Sequence, residues 1–273
     1  MKRSRVSYEV RLAQAVKAFW LGRDKAAEKQ LATGRVDSGN RSKVTGGKAL
    51  DSFRDMIVDV VQRNAGAAVE VHRKRALVGL PGHFRPTKLW DLVILHEGRL
   101  LAALELKSLC GPSFGNNANN RCEEALGSAY DFRKAQSEGL FGAGASPFLG
   151  YFILVEDAEG SRKPVKESSP HFPADKAFRN ASYQQRMRLM CERMVQHQLY
   201  ACASVLVAVG GSASGESRNL CPHTSFRSLL TRLGAHLASE PSTTRENMLL
   251  EEPSAADARL TFDGEYFEST ESG

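Results

Sequence analysis

Two neighbouring apolar runs carry charges that a buried strand does not tolerate alone. They read Leu89-Trp90-Asp91-Leu92-Val93-Ile94-Leu95 and Leu100-Leu101-Ala102-Ala103-Leu104-Glu105-Leu106-Lys107. Each is short and nearly continuous, the pattern of a strand covered on both faces. The connection His96-Glu97-Gly98-Arg99 predicts a tight β-hairpin. Folding about Gly98 puts Asp91 opposite Glu105 or one step from it. Glu105 and Lys107, two residues apart, share one face of the sheet. Bare buried charges are strongly unfavourable, so they persist only when paired or bound to a metal.

The chemistry that fits is metal-assisted hydrolysis of a phosphodiester. Asp91 and Glu105 supply the hard oxygen ligands that Mg²⁺ prefers, with waters completing its octahedron. Mg²⁺ stabilises charge on a scissile phosphate and acidifies a bound water. Lys107 beside them orients or helps deprotonate that water, or neutralises the transition state. A salt-bridge cluster of Glu105 with Lys107 is the competing structural reading. The order D-x13-E-x-K on adjacent apolar strands favours the metal site.

That order resembles the PD-(D/E)xK nuclease superfamily, with Trp90 where a proline is expected before the aspartate. Longer stretches narrow the resemblance. Arg85-Pro86-Thr87-Lys88-Leu89-Trp90-Asp91, Glu105-Leu106-Lys107-Ser108, Gly111-Pro112-Ser113-Phe114-Gly115-Asn116-Asn117 and Ser168-Ser169-Pro170-His171-Phe172-Pro173 are similar to the XhoI type of type II restriction endonuclease. The similarity runs from about Val16 to Tyr200. It implies a Mg²⁺-dependent homodimer that cuts both strands of double-stranded DNA at a six-base palindrome, CTCGAG in that family, leaving 5′-phosphates. A cognate DNA methyltransferase is implied in the same system. A repair or recombination nuclease of the same fold is the alternative activity. A non-cutting DNA-binding module is a third reading, disfavoured because such a module has no reason to bury Asp91, Glu105 and Lys107.

Apolar spacing predicts helices over residues 8–31 and 48–63, from about Asn120 to Ser137, and from Ser182 to about Leu199. Strands are expected at 68–72, in the two charged runs, and at 148–156 and 201–210, with a loop over 33–47. The expected fold is α/β, a restriction-endonuclease-like mixed sheet flanked by helices. Residues 1–239 are expected to form one domain. From Glu240 onward there are nine acids against two bases, which predicts a mobile acidic tail over 240–273 and leaves the body with a net charge of +13 out of a total of +6. A basic body suits a polyanionic partner. No run of 18 apolar residues occurs, and the five cysteines form no C-x-x-C pair. Both point to a cytoplasmic protein with reduced thiols.

Further candidates surround the central triad. Residues 71–90 hold Arg73, Lys74, Arg75, Arg85 and Lys88 with no acid, a pattern for positioning phosphate, and Arg85 and Lys88 are the members nearest Asp91. Asn116, Asn117, Asn120 and Arg121 lie in a glycine- and asparagine-rich stretch directly after the Glu105 strand. Asparagine pairs with adenine and arginine with guanine, so these are candidate DNA contacts; Asn120 is also the expected helix N-cap. Asp51, four residues from Asp55 and eight from Asp59, is a possible additional acid. The competing reading of that row is a solvated helix face. Met187, Met190, Cys191 and Met194 are expected in the core.

Overall fold

A computed structural model describes residues 6–32, 49–65, 68–211 and 215–239. The expected loop at 33–47 and the acidic tail lie outside the described residues. The first two helices among the described residues are α1 (Tyr8–Ala32) and α2 (Asp51–Asn64). Leu12, Val16, Phe19 and Trp20 of α1 and Phe53, Ile57 and Val61 of α2 are buried at helical spacing. Val10, which shares that spacing, is 48% exposed.

Six strands follow in one mixed sheet: β1 (Val69–His72), β4 (Leu92–His96), β5 (Arg99–Leu109), β6 (Phe148–Asp157), β7 (Cys202–Val209) and β8 (Ser217–Asn219), in the order β1-β4-β5-β6-β7-β8. Strands β2 (Gly79–Pro81) and β3 (Thr87–Leu89) form a separate two-stranded hairpin. β5, β6 and β7 run parallel, whereas β1, β4 and β8 pair antiparallel at the two sides. Parallel neighbours need crossover connections. Helix α3 (Phe114–Ser137) lies between β5 and β6 in sequence, and α5 (Tyr183–Gln196) between β6 and β7, with a short α4 (Glu159–Arg162) after β6. Ser182 caps α5 and exchanges hydrogen bonds with Gln185, as the sequence predicts.

Both faces of the sheet are covered. Leu149, Tyr151, Ile153 and Val155 of β6 pack with α3 and α5, while Phe148, Phe152 and Leu154 pack with α1, α2 and the last helix, α6 (Phe226–Ser239). This is the period-two division of a strand buried on both sides. The α/β fold with a helix-flanked mixed sheet is therefore as expected. Met187, Met190, Cys191 and Met194 are buried, as expected. No described helix is long and apolar enough to cross a membrane.

Three local expectations are corrected. The run Leu89–Leu95 is not one strand: Leu89 ends β3, and the chain changes sheet across Trp90 and Asp91 before β4 begins. The glycine- and asparagine-rich stretch is helix from Phe114 onward, because Phe114, Ala118, Ala125 and Ala129 give it a buried stripe. Asn120 therefore sits inside α3 and is not its N-cap; that position belongs to Ser113. Helix α6, strand β8 and the β2–β3 hairpin were not expected.

Candidate active site

The hairpin between β4 and β5 closes as the sequence predicts. Glu97 and Gly98 both have positive φ, 49° and 77°, as a two-residue turn with right-handed strand twist requires. A bulge between Ile94 and Leu95 shifts the register, and Leu92 then pairs with Leu104. Asp91 consequently faces Glu105. Its amide donates to Leu104 O at 3.0 Å, and its Oδ2 accepts from Leu106 N at 2.8 Å. Because Asp91 is tied to the backbone on both sides of Glu105, the two acids keep a fixed relation.

Glu105 is only 3% exposed, in the middle of an apolar strand. Its Oε1 accepts from Lys107 Nζ at 2.9 Å and from Lys88 Nζ at 3.1 Å, while its Oε2 is buried with no hydrogen-bond partner among the described residues. Burial pushes the Glu105 carboxyl up, but the charges and hydrogen bonds of Lys107 and Lys88 outweigh it and hold the group below its usual range. Burial likewise pulls the Lys107 ammonium down. Glu105, with Glu124 and Asp91 behind it, overcomes that and holds it above its usual range. Lys107 also lies 3.6 Å from Glu124 of α3, and Lys88 rests on the Trp90 ring, 4.5 Å from its centroid.

An unpartnered buried carboxylate oxygen opposite a second carboxylate is a donor set that suits a hard divalent cation. Among the described residues there is no group of three or more His, Cys, Asp or Glu arranged to hold a metal. That does not conflict with Mg²⁺, which is commonly held by one or two carboxylates plus water and substrate phosphate.

Residues 29–217 match the family model for restriction endonuclease XhoI. The chain belongs to that family. It is 47% identical over 172 residues to the type II restriction enzyme AbrI of Azospirillum brasilense, covering 63% of this chain and 77% of that protein. It is 46% identical over 187 residues to the type II restriction enzyme XhoI of Xanthomonas vasicola, covering 68% and 75%. With the type II restriction enzyme BstVI of Geobacillus stearothermophilus the identity is 41% over 210 residues, covering 75% and 93%. No solved structure matches. This XhoI-family protein is thus a type II restriction endonuclease, a hydrolase that cleaves double-stranded DNA. Enzymes of this type generally use a divalent metal ion.

The structure of the XhoI-family chain distributes the remaining candidates unevenly. Lys88, expected to position DNA phosphate, is nearly enclosed, at 12% side-chain exposure, and belongs to the Glu105 cluster. Arg85 is committed through Nε to Asp131 Oδ2 at 2.6 Å. Asn116 and Asn120 are exposed on the first two turns of α3, and Asn117 is half-buried there. Arg121 donates to Ser108 O at 3.1 Å and pairs with Glu124 at 2.6 Å, which links it through Glu124 to Lys107. Asp51 opens α2, 52% exposed, and reaches the centre indirectly: Arg54 pairs with Asp51 at 2.6 Å and with Asp91 at 2.5 Å. Asp55 pairs with Arg73, and Asp59 with Arg11 and Arg63. Sequence reasoning missed Arg54, Glu124 and Asp131. Arg54 and Glu124 carried a local signal, each lying one helical turn from a candidate, Asp51 and Arg121 respectively.

Proposed function

We propose that Asp91, Glu105 and Lys107 form the catalytic centre for Mg²⁺-dependent hydrolysis of DNA. The observation that carries this reading is Glu105: buried, ionised, with one oxygen shared by two lysines and the other unpartnered. Asp91 and Glu105 would hold the cation. When bound, Mg²⁺ supplies charge stabilisation at the scissile phosphate and a more acidic water. Lys107 presents a positive charge beside both acids, placed to orient the attacking water by hydrogen bonding and to offset charge developing on the phosphate. Lys88 positions Glu105 by holding the same oxygen from the other side. Asp51 would contribute through Arg54. Asn116, Asn117, Asn120 and Arg121 at the start of α3, together with Arg85, are proposed to contact DNA.

The name of the relative XhoI, together with the family's CTCGAG site, supports the same six-base palindrome here. Two strands cut at one palindrome call for two centres related by a twofold axis, hence a homodimer. A cytoplasmic enzyme of this kind needs a cognate methyltransferase to protect its host DNA. Residues 1–239 are proposed to serve as one catalytic unit, with the acidic residues 240–273 as a tail. The test is digestion of a plasmid of known sequence by purified protein with and without Mg²⁺, beside Glu105→Ala, with the ends mapped. Discrete 5′-phosphorylated ends at CTCGAG, lost in both controls, are expected. Discrete cuts at another sequence would discard the site and keep the centre. Full activity in Glu105→Ala would discard the centre, and nicks or smears would favour a repair-type nuclease.

A further inference from the structure

Arg54 reaches Asp91 from α2, at the other side of the centre from the lysines. Its side chain is 12% exposed. One terminal nitrogen lies 2.6 Å from Asp51 Oδ1 and the other 2.5 Å from Asp91 Oδ1, while its Nε is buried and has no partner among the described residues. The guanidinium is thus held at its outer end by two carboxylates and unsupported at its inner nitrogen. Asp91 Oδ2 already accepts the Leu106 amide. Oδ1 is therefore the oxygen of Asp91 not committed to backbone, and Arg54 sits on it.

A cation bound at Asp91 Oδ1 would meet that guanidinium at close range, and like charges at one oxygen repel. We propose that Arg54 is a displaceable counter-ion: in the free enzyme it occupies Asp91 Oδ1 and competes with the divalent cation for it. It thereby sets how weakly the centre holds metal. Asp51 holds the other terminal nitrogen and Nε holds nothing, so leaving Asp91 breaks one of the two carboxylate bonds of the guanidinium and keeps the other. This inference rests on Asp91 being a cation ligand.

The test is Mn²⁺ binding to the free full-length protein, counted by electron paramagnetic resonance, for wild type, Arg54→Met, Arg54→Gln and Asp91→Asn. Removing a competing charge-assisted hydrogen bond should tighten Mn²⁺ binding about tenfold in Arg54→Met, with Arg54→Gln in the same direction. Unchanged or weaker binding in both Arg54 variants would overturn the inference and make Arg54 a support for Asp91. If neither variant gives a cooperative thermal melt, the wild type decides. Its Arg54 Nε–H nuclear magnetic resonance signal should move as Mg²⁺ is added, and a signal unmoved at saturation overturns the inference. Asp91→Asn separates the two levels. Wild-type Mn²⁺ affinity in Asp91→Asn would remove Asp91 as a ligand, whereas lost affinity beside unaltered Arg54 variants would sink the counter-ion alone.

Discussion

Glu105 and Asp131 are both shielded from solvent, each 3% exposed, Glu105 deep in the sheet and Asp131 nearer the surface, yet they are treated in opposite ways. Asp131, on α3, accepts from the His83 and Phe84 amides at 2.8 Å each through Oδ1 and from Arg85 Nε through Oδ2 at 2.6 Å. It fastens the tip of the β2–β3 hairpin. Gly82 lets that loop close on it, since a Cβ there would stand 2.5 Å from Oδ2. Glu105 has two lysines on one oxygen and nothing on the other. A buried carboxylate whose oxygens are both engaged locks structure, while one left short of partners keeps capacity for a ligand. Burial alone does not distinguish an anchor from a reactive group; the tally of partners does.

The comparison can be broken most directly by Glu105→Gln. DNA cleavage should fall by about a thousandfold, as for loss of a principal electrostatic contributor. The melting temperature should change less than it does for Asp131→Ala. A variant that cuts normally, or one that unfolds, would make Glu105 another anchor. In Asp131→Ala the loss of three hydrogen bonds to a buried acid should lower stability by about 3 kcal/mol, seen in chemical denaturation.

Asp131 also predicts a pH dependence. Burial pushes its carboxyl up, but the hydrogen bonds from Arg85, Phe84 and His83 outweigh it, so the folded protein holds this group below the usual aspartate range. The unfolded chain therefore takes up the proton first. Its contribution is complete above the unfolded aspartate value, about pH 4, and is lost as pH falls through the lower folded value. The difference in melting temperature between wild type and Asp131→Ala should be full at neutral pH and shrink below about pH 4. A difference that is flat with pH would remove the ionic part of the anchor.

Smaller effects sharpen the contrast at its edges. Lys88→Met should lower the cleavage rate by roughly 10–100-fold with little change in DNA affinity, because it orients Glu105. A loss confined to DNA affinity, with a shallower salt dependence, would return Lys88 to the phosphate-contacting role expected from its sequence position. Asn116→Ala and Asn120→Ala, both on the exposed start of α3, should weaken duplex binding by about tenfold or less each, without altering the salt slope. Unchanged affinity in both would remove this turn from the DNA interface.

The contrast between the two acids also marks the limit of local reading. The apolar runs around Asp91 and Glu105, the Glu97-Gly98 turn and the Ser182/Gln185 cap are legible because each depends on residues a few positions apart. The start of α3 was hidden by its asparagines, although Phe114, Ala118, Ala125 and Ala129 carry a helical stripe. Helix α6 carries the same period in Phe226, Leu229, Leu230, Leu233 and Leu237, a helical stripe that local spacing does encode. The break of the Leu89–Leu95 run was not legible, since apolar residues continue on both sides of Asp91 and no glycine or proline marks the change of sheet.

By itself the sequence determined the mixed α/β class, the hairpin and the shared face of Glu105 and Lys107, because strand periodicity and a two-residue turn leave little other choice; the bulge between Ile94 and Leu95 then decided that Asp91 faces Glu105. Only the tertiary structure decided which further cations face the buried acids. Arg54 comes to Asp91 across 37 positions, Lys88 to Glu105 across 17, and Arg85 to Asp131 across 46. Pairings of that kind are set by how helices and hairpins pack on the sheet, and no local spacing encodes them.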